Sequence, residues 1–165
     1  MTRDERRVSA WVGIGSNLDD PEYQVRRAFV ALAELPDTEL RVQSPLYRTA
    51  PMGPQDQPDY INAVAELDTG LEADALLAQL QAIEKRAGRL RETRWGPRVL
   101  DLDLLTYGRE CISRPGLKVP HPGIGERNFV LLPLLSVAPD LEIPGLGPVR
   151  QLAAGIDREG VERLE

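Results

Sequence analysis

Apolar residues alternate with polar or small ones in four segments of the chain, and this alternation predicts four β-strands. In the first segment, Val8, Ala10, Val12 and Ile14 fall at every second position, the spacing at which side chains share one face of a strand. The same pattern recurs in the middle of the chain and again after residue 98. We therefore predict strands at residues 8–14, 39–47 and 61–67, and a fourth strand that carries Asp101 and Asp103.

Apolar residues at helical spacing predict a helix after the first strand and another after the third. The first begins at Asp20-Pro21, an N-cap followed by a proline at the first helical position, and the second ends before Gly88. Their apolar stripes are Val25, Ala28, Phe29 and Leu32 in the first, and Leu76, Leu77, Leu80 and Ile83 in the second. Further on, we predict a helix over 128–136, which Pro133 should kink or shorten, a short strand at 141–143 and a helix from Val149.

The predicted order β-α-β-β-α-β is typical of the ferredoxin-like, split-βαβ arrangement. We therefore expect an α+β fold with a βαββαβ core, in which helices cover an antiparallel-rich sheet. The 165 residues contain no internal repeat, low-complexity tract or linker. One domain over 1–165 is expected, with residues 1–7 as a flexible N-terminal tail.

Composition narrows the class of protein. Hydrophobic residues make up 42% and charged residues 28%, as in ordinary soluble domains, and no apolar run approaches the roughly 18–20 residues of a membrane helix. The polar N-terminus is unlike a signal peptide. Cys111 is the only cysteine, which excludes an internal disulfide and a cysteine-rich zinc site. We expect a cytoplasmic protein with no membrane partner.

The charge distribution favours a small anionic ligand. A net charge of −6 argues against a general nucleic-acid binder, whose affinity depends on many phosphate contacts. The segment 85–98 is nevertheless strongly basic, with Glu92 as its one acid. A local basic cluster on an acidic chain suits a compact anion better than a long polyanion. The cations of this segment are Lys85, Arg86, Arg89, Arg91, Arg94 and Arg98.

Asp101 and Asp103 lie one residue apart on the fourth predicted strand. They share a face, roughly 6–7 Å apart along the strand, while Leu100, Leu102 and Leu104 share the other. Two like charges on one strand face are costly unless a positive group lies between them. A solvated outer face is one interpretation of the pair. A site for hard divalent cations is the other, and the arginines just upstream favour it because they suggest a polyphosphate ligand.

The loop Gly88–Pro97 is bounded by glycines and carries charge in its middle. We predict a mobile segment that closes over a ligand and excludes water, with guanidinium groups that bind phosphate oxygens bidentately. A solvated basic loop is the alternative. Trp95 is either a core residue or, in view of its charged surroundings, part of the closing segment.

Three further features suggest contacts to a ligand. Tyr60 and Asn62 share a face of the third strand, and an aromatic plane beside an amide suits a flat heterocycle with a hydrogen-bonding edge. Phe129 could supply a second plane, although an ordinary polar face explains the pair equally well. His121, the only histidine, lies between two prolines, which favours a phosphate contact over a core role. For Glu84, an ion pair with neighbouring arginine or lysine side chains is the simplest interpretation.

These segments resemble the signature motifs of the 6-hydroxymethyl-7,8-dihydropterin pyrophosphokinase family of folate biosynthesis. The resemblance begins with the run Arg94-Trp95-Gly96-Pro97-Arg98-Val99-Leu100-Asp101-Leu102-Asp103-Leu104-Leu105. It continues in five other blocks, which follow in the expected order: Gly15-Ser16-Asn17-Leu18, Ser44 to Thr49, Gly53 to Asn62, Val119-Pro120-His121 and Arg127-Asn128-Phe129.

The resemblance implies a reaction and its metal. A pyrophosphoryl group passes from ATP to the hydroxymethyl oxygen of the pterin, and AMP is released. Asp101 and Asp103 hold two Mg²⁺ ions that bridge the phosphates of ATP and neutralise their charge. Arg89 and Arg98 contact phosphates and stabilise the transferred group. The implied partners are therefore two small molecules, ATP and the pterin, and we expect a monomer.

The resemblance also assigns the two halves of the site. The pterin is sandwiched by Tyr60 and Phe129, and Asn62 reads its edge together with the Thr49 region. The nucleotide side comprises Glu84, Arg91, Trp95, Arg98, Leu104, His121 and Arg127. The pterin side comprises Thr49, Pro51, Met52, Tyr60, Asn62, Asp101 and Phe129.

Two other functions are considered. One is a different two-metal phosphoryl or nucleotidyl transferase, which the Tyr60-x-Asn62 platform with Phe129 disfavours. The other is a nucleotide-binding regulatory domain without turnover, which the complete set of Asp101, Asp103, Arg98 and His121 disfavours. Either a water on the metal or Asp103 could accept the proton of the pterin hydroxyl.

Overall fold

A computed structural model describes residues 7–18, 20–50, 59–88 and 99–164 of the chain. Ten strands and four helices lie in these ranges. The strands are β1 Val8–Ser16, β2 Thr38–Gln43, β3 Tyr47–Thr49, β4 Tyr60–Thr69, β5 Asp101–Tyr107, β6 Ile112–Arg114, β7 Leu117–Val119, β8 Glu142–Ile143, β9 Gly147–Pro148 and β10 Val161–Arg163. The helices are α1 Pro21–Ala33, α2 Ala73–Arg86, α3 Asn128–Val137 and α4 Val149–Ala154.

Six of these strands form one antiparallel sheet with β4 and β1 at its centre. β5 pairs with the other edge of β1, and β2 pairs with the C-terminal half of β4. The order β5-β1-β4-β2 interleaves the two β-α-β units, which is the ferredoxin-like arrangement that the sequence predicts. Beside β2, the short strand β3 pairs with the start of β4, and β10 pairs with β3.

The first hydrophobic core fills one face of the sheet, beneath α1 and α2. It contains the apolar stripe predicted for α1, since Val25, Ala28, Phe29 and Leu32 are all buried. The alternate positions of the strands point into it as predicted, among them Leu102 and Leu104. Burial of apolar surface is the main favourable term in folding, and this core fixes which face of β5 is available to a ligand.

A second, smaller core covers part of the opposite face. Trp11, Val64 and Leu105 contribute from the sheet, and residues of α3, α4 and β8 cover them. The helix predicted over 128–136 is present, but it extends through Pro133 to Val137, so the predicted shortening is wrong. The strand near 141–143 and the helix from Val149 are confirmed. α3 and α4 therefore cover only the part of this sheet face around Trp11, Val64 and Leu105.

The strand predicted over 39–47 is two strands, separated at residues 44–46. Pro45 has no amide hydrogen for a ladder bond. At this point the Ser44 hydroxyl accepts a hydrogen bond from the Val64 amide at 2.9 Å, while the Ser44 amide donates to the Val64 carbonyl. This side-chain contact ends β2 and allows β3 to begin a separate pairing with β4.

Two predicted details at the N-terminal end differ from the structure. Asp20 is the N-cap of α1, but its φ of 62° is left-handed and its side chain makes no capping hydrogen bond. Of the expected tail 1–7, only Arg7 lies within the described residues. Its guanidinium pairs with Asp37 and Asp68, each at 3.1 Å, so Arg7 belongs to the folded domain. None of the helices in the described ranges is long and apolar enough to span a bilayer.

Candidate active site

Three neighbouring strands bring Asn62, Gly15 and Asp101 side by side. Gly15 of β1 pairs with Asn62 of β4 on one side and with Asp101 of β5 on the other. Two residues along β1, Gly13 pairs with Asp103 in the same way. As predicted, the two aspartates share one face of β5, because the residues that alternate with them are buried in the first core.

Because Gly15 has no side chain, the Asn62 amide can lie close to the backbone of β1 at this point. A Cβ atom at this position would lie 2.9 Å from Oδ1 of Asn62 and 3.8 Å from the Tyr60 ring. No ordinary side chain fits there without displacing Asn62. The sequence analysis includes Gly15 in a motif but does not assign it to the site, although the small residue in an apolar strand was a usable signal.

Asp103 faces two basic side chains from outside the sheet. Its carboxylate oxygens lie 4.0 Å from Nε2 of His121 and 4.0 Å from a terminal nitrogen of Arg127. The aspartate is 44% exposed at its side chain, so these contacts lie at an open surface. The structure thus brings together one carboxylate and two groups that the resemblance assigns to the nucleotide.

Two hydrogen bonds to the backbone of other residues hold His121 in place. Its amide donates to the Leu105 carbonyl at 2.8 Å, and its Nδ1 accepts a hydrogen bond from the Gly123 amide at 3.2 Å. Burial lowers the pKa of His121, Asp103 opposes that shift and Arg127 adds to it. Because Nδ1 accepts the hydrogen bond from Gly123, the neutral imidazole has its hydrogen on Nε2, the nitrogen that faces Asp103.

Arg127 lies at the start of α3, where it also covers Phe129. The centre of its guanidinium is 5.6 Å from the ring centroid of Phe129, within the range of a cation–π contact. A Cβ atom at Gly123 would come within 2.6 Å of the Arg127 side chain. The glycine and the aromatic ring together direct this cation toward Asp103.

A cavity of about 270 Å³ lies beside Phe129. Thr49 and Ala50 form one wall, the start of α3 forms another, and the C-terminal residues Glu159, Gly160 and Val161 form a third. The Thr49 hydroxyl, buried in the structure, accepts a hydrogen bond from Nδ2 of Asn62 at 2.7 Å. Thr49, Asn62 and Phe129, which the resemblance assigns to the pterin, therefore lie around or next to one cavity.

Glu84 contacts the backbone of the aspartate strand. Its side chain is 5% exposed, and its carboxylate accepts a hydrogen bond from the Leu102 amide at 2.8 Å. Leu102 is the residue between the two aspartates. Glu84 therefore anchors the backbone that carries Asp101 and Asp103, a role that its sequence neighbours did not indicate.

The remaining predicted residues fall into two groups. The side chain of Leu104 packs in the first core, on the face opposite the aspartates, so it is not part of the same surface. Six predicted residues lie outside the described ranges: Pro51, Met52, Arg89, Arg91, Trp95 and Arg98. The C-terminal wall of the cavity was not predicted, because residues 157–163 show no strong hydrophobic periodicity.

The donors near Asp101 and Asp103 fit magnesium. Within the described parts of the chain, no group of three or more histidine, cysteine, aspartate or glutamate side chains could hold a metal. Mg²⁺ is typically bound through one or two carboxylates together with substrate phosphates, rather than by an all-protein cage. The glycines at 13 and 15 add no side chain to the surface beside the carboxylates. The pair therefore suits a metal that arrives with a polyphosphate.

Comparison with known proteins identifies the family. A family model described as 7,8-dihydro-6-hydroxymethylpterin-pyrophosphokinase (HPPK) matches residues 11–139. A Pseudomonas aeruginosa protein named 2-amino-4-hydroxy-6-hydroxymethyldihydropteridine pyrophosphokinase is 49% identical over 154 residues, covering 93% of this chain and 95% of its own length. A Haemophilus influenzae protein of the same name is 44% identical, with 88% and 91% covered.

Solved structures show the same fold. The chain matches the Plasmodium falciparum HPPK-DHPS wild type with pteroate at a TM-score of 0.73 and 14% identity, over 90% of this chain and 42% of that longer one. At this identity the likeness concerns the fold, and it agrees with the ferredoxin-like sheet order. Matched along most of its length by the family model and by two relatives, this chain belongs to the 7,8-dihydro-6-hydroxymethylpterin-pyrophosphokinase family of enzymes.

Proposed function

We propose that this protein transfers the pyrophosphoryl group of ATP to 6-hydroxymethyl-7,8-dihydropterin, which yields the pterin diphosphate and AMP. The family and the names of its relatives support pyrophosphokinase activity. The observation that carries the proposal for this chain is the row Asn62–Gly15–Asp101. In that row Gly15 separates the Asn62 amide from Asp101, so that a polar side chain and the carboxylate pair lie on neighbouring strands of one sheet.

The reaction is a displacement at the β-phosphorus of ATP. The hydroxymethyl oxygen forms a bond to that phosphorus and loses its proton, while the bond to the oxygen bridging the α- and β-phosphates breaks. AMP leaves with the bridging oxygen. Because the group being transferred has a high charge, catalysis depends on positioning and on electrostatic stabilisation.

Asp101 and Asp103 are the proposed holders of two Mg²⁺ ions. When bound, the ions supply charge neutralisation at the attacking and leaving oxygens. The strand itself contributes a fixed geometry, because the Leu102 amide donates a hydrogen bond to Glu84 and the leucines on either side of Asp103 are buried. Asp103 is also a candidate acceptor for the hydroxyl proton.

His121 and Arg127 are proposed to bind the phosphates of ATP. Both already lie 4.0 Å from Asp103. The neutral His121 donates a hydrogen bond through Nε2, and the Arg127 fork can bind two phosphate oxygens at once. Arg89, Arg91, Trp95 and Arg98 complete the nucleotide side in this proposal on the basis of the sequence resemblance alone.

The pterin is proposed to bind near Asn62, Thr49 and Phe129. With its Nδ2 donating to Thr49, the Asn62 amide directs its carbonyl oxygen toward Gly15, where it can accept from a ring amino or N–H group. Phe129 supplies an aromatic plane and lines the cavity. Tyr60, Pro51 and Met52 join this half of the site by resemblance.

The activity is tested by incubating the purified protein with ATP, Mg²⁺ and the pterin, and measuring AMP. AMP is expected only when all three are present, and chelation of Mg²⁺ should abolish its formation. Equal AMP release without the pterin would indicate hydrolysis, and no release would indicate a non-catalytic nucleotide-binding domain. The proposal includes a cytoplasmic, monomeric enzyme, and light scattering during gel filtration tests the monomer.

A further inference from the structure

The C-terminal arm, residues 157–163, is attached to the strand that bears Thr49. β10 pairs antiparallel with β3, so that Val161 lies opposite Thr49 and Glu162 opposite Arg48. The Ala50 amide donates to the Gly160 carbonyl at 3.2 Å, which extends this pairing to the end of β3. Beyond the arm, the Leu164 amide donates to the Leu46 carbonyl at 2.9 Å.

The arm is also attached to the helix that bears Phe129. Nδ2 of Asn128, the first residue of α3, donates to the Asp157 carbonyl at 3.0 Å. The Asp157 carboxylate in turn accepts from the Glu159 amide at 2.9 Å, and Gly160, at a φ of 80°, turns the chain toward β3. The seven-residue arm therefore connects the two elements that flank the cavity.

Between these two attachments the arm forms part of the cavity wall itself. Glu159, Gly160 and Val161 line the cavity together with Thr49 and Phe129. β3 has only three residues and depends on its two neighbours, β4 and β10, for its ladder bonds. Because an unpaired edge strand this short is weakly held, the arm sets the position of Thr49 relative to Phe129.

We propose that the C-terminal arm is a positioning element for the acceptor substrate. It holds Thr49 and Phe129 at the separation that a flat, hydrogen-bonding heterocycle requires. The family model ends at residue 139, so this wall is supplied by a part of the chain beyond the matched region. The inference rests on the proposed function, because it assigns the cavity to the pterin.

The test disrupts the pairing of the arm with β3 while sparing its side chains in the cavity. Hydrogen-bonded and non-bonded pairs alternate in an antiparallel ladder, and the bonds at Gly160 and Leu164 make Glu162 and Arg48 the bonded pair between them. Glu162→Pro removes that donor. Glu162→Ala is the matched control, because it keeps the amide and loses only an exposed 3.8 Å contact to Arg48, which is worth little.

For Glu162→Pro we expect the KM for the pterin to rise about tenfold, the scale of one or two lost ladder hydrogen bonds. The KM for ATP should stay within about twofold, because this variant breaks the pairing with β3, whereas Arg127, a nucleotide-side residue that also lines the cavity, lies on the other wall at the start of α3. Glu162→Ala should match the unmodified enzyme in both constants. An unchanged pterin KM in Glu162→Pro, or an equal rise in both constants, overturns the proposal.

A second variant covers the case in which Glu162→Pro does not fold. Asn128→Ala removes the amide donor and breaks the attachment at Asp157 without adding a charge beside Arg127, at a position outside both hydrophobic cores. Its pterin KM should rise several-fold and by more than its ATP KM, and an unaltered pterin KM overturns the proposal. If the unmodified enzyme makes no pterin-dependent AMP, the proposed function itself fails, which is a different result.

Discussion

At the scale of single residues, the site depends on what is absent from β1 as much as on what β5 contributes. Gly15 pairs with Asp101, and the absence of a side chain there lets Oδ1 of Asn62 approach the backbone of β1. Gly13 pairs with Asp103, and its Cβ position lies 3.4 Å from the Leu105 side chain, so this glycine makes room for the second core. Glycine weakens a strand interior, and both glycines follow from the close approach of a neighbouring side chain rather than from the stability of the sheet.

Asp103→Ala should lower the rate of AMP formation by at least about 10³-fold, because a metal ligand is worth several kcal/mol in the transition state. The fold should persist, because this side chain is 44% exposed. The measurements are pterin-dependent AMP formation and the thermal midpoint. Asp140→Ala, which removes a far more exposed carboxylate paired with Arg150, should retain full activity, and substantial activity in Asp103→Ala would exclude the metal role.

Gly15→Ala should weaken pterin binding. Its Cβ atom would lie 2.9 Å from Oδ1 of Asn62, so the amide must shift and its hydrogen bond to Thr49 must lengthen. We expect a rise of about tenfold in the pterin KM, from an overpacking cost of about 1–3 kcal/mol. Gly155→Ala is the matched control, since no atom lies within 4 Å of its Cβ position. Identical kinetics for the two variants would contradict this account.

At the scale of elements, a hydrogen bond between α2 and β5 holds the backbone of the aspartate strand in position. α2 packs beneath the sheet through Leu76, Leu80 and Ile83, and the next residue, Glu84, is buried with them. A buried carboxylate is costly unless it is hydrogen-bonded. Here its contact with the Leu102 amide ties the end of the helix to the middle of the aspartate pair.

Glu84→Ala should lower the free energy of unfolding by about 1–3 kcal/mol, because it leaves the buried Leu102 amide without this acceptor. It should also reduce kcat, because the aspartates lose their support. Glu84→Gln, which keeps an acceptor oxygen, should be milder in both measurements. Gln81→Ala, at an exposed position of the same helix, should change stability by less than about 0.5 kcal/mol. Equal stability of the Ala and Gln variants in chemical denaturation would show that the hydrogen bond is unimportant.

At the scale of the whole molecule, the sheet separates stability from function. One face is covered by the first core with α1 and α2, and the other is shared between the smaller core and the site. At the end of the sheet away from the site, Arg7 and Arg41 hold Asp68 between them, at 3.1 and 2.8 Å. This ion-pair group connects Arg7, just before β1, to the edge strand β2 and the central strand β4.

Stability should depend on pH through Asp68. The hydrogen bond from Arg41, with the charge of Arg7, lowers the pKa of Asp68 below its usual 3.8, and burial opposes this shift only in part. A carboxyl group with a lowered folded-state pKa stabilises the fold above its unfolded pKa, and this stability is lost as the pH falls through the folded value.

Asp68→Asn should therefore lower the thermal midpoint by about 2 °C at pH 7, a small effect because the pairs are solvent-accessible. The difference from the unmodified protein should shrink as the pH falls below 3.8 and through the lowered folded-state pKa. Asp74→Asn, which removes an exposed carboxylate paired with Arg114, should have a smaller effect. A difference for Asp68→Asn that does not shrink as the pH is lowered past 3.8 would exclude the charge interaction.

The order of the strands and helices in the core and the shared face of the two aspartates could be predicted from the sequence alone. Both follow from periodicity: a period of two places Leu102 and Leu104 in the core and their neighbours Asp101 and Asp103 outside it, and helical spacing identifies the stripe of α1 without error. Pro45 marked a possible interruption, but the split into β2 and β3 was not predicted. It depends on the contact between Ser44 and Val64, two residues that are distant in the chain.

The assembly of the site could not be predicted from the sequence, because it depends on contacts between distant segments. No local pattern encodes these contacts. They are the close approach of Asn62 to Gly15, the hydrogen bond from the Leu102 amide to Glu84, and the approach of His121 and Arg127 to Asp103. The C-terminal arm shows this most clearly. Residues 157–163 have no strong periodicity of their own, and β10 exists because β3 offers it an unpaired edge beside the cavity.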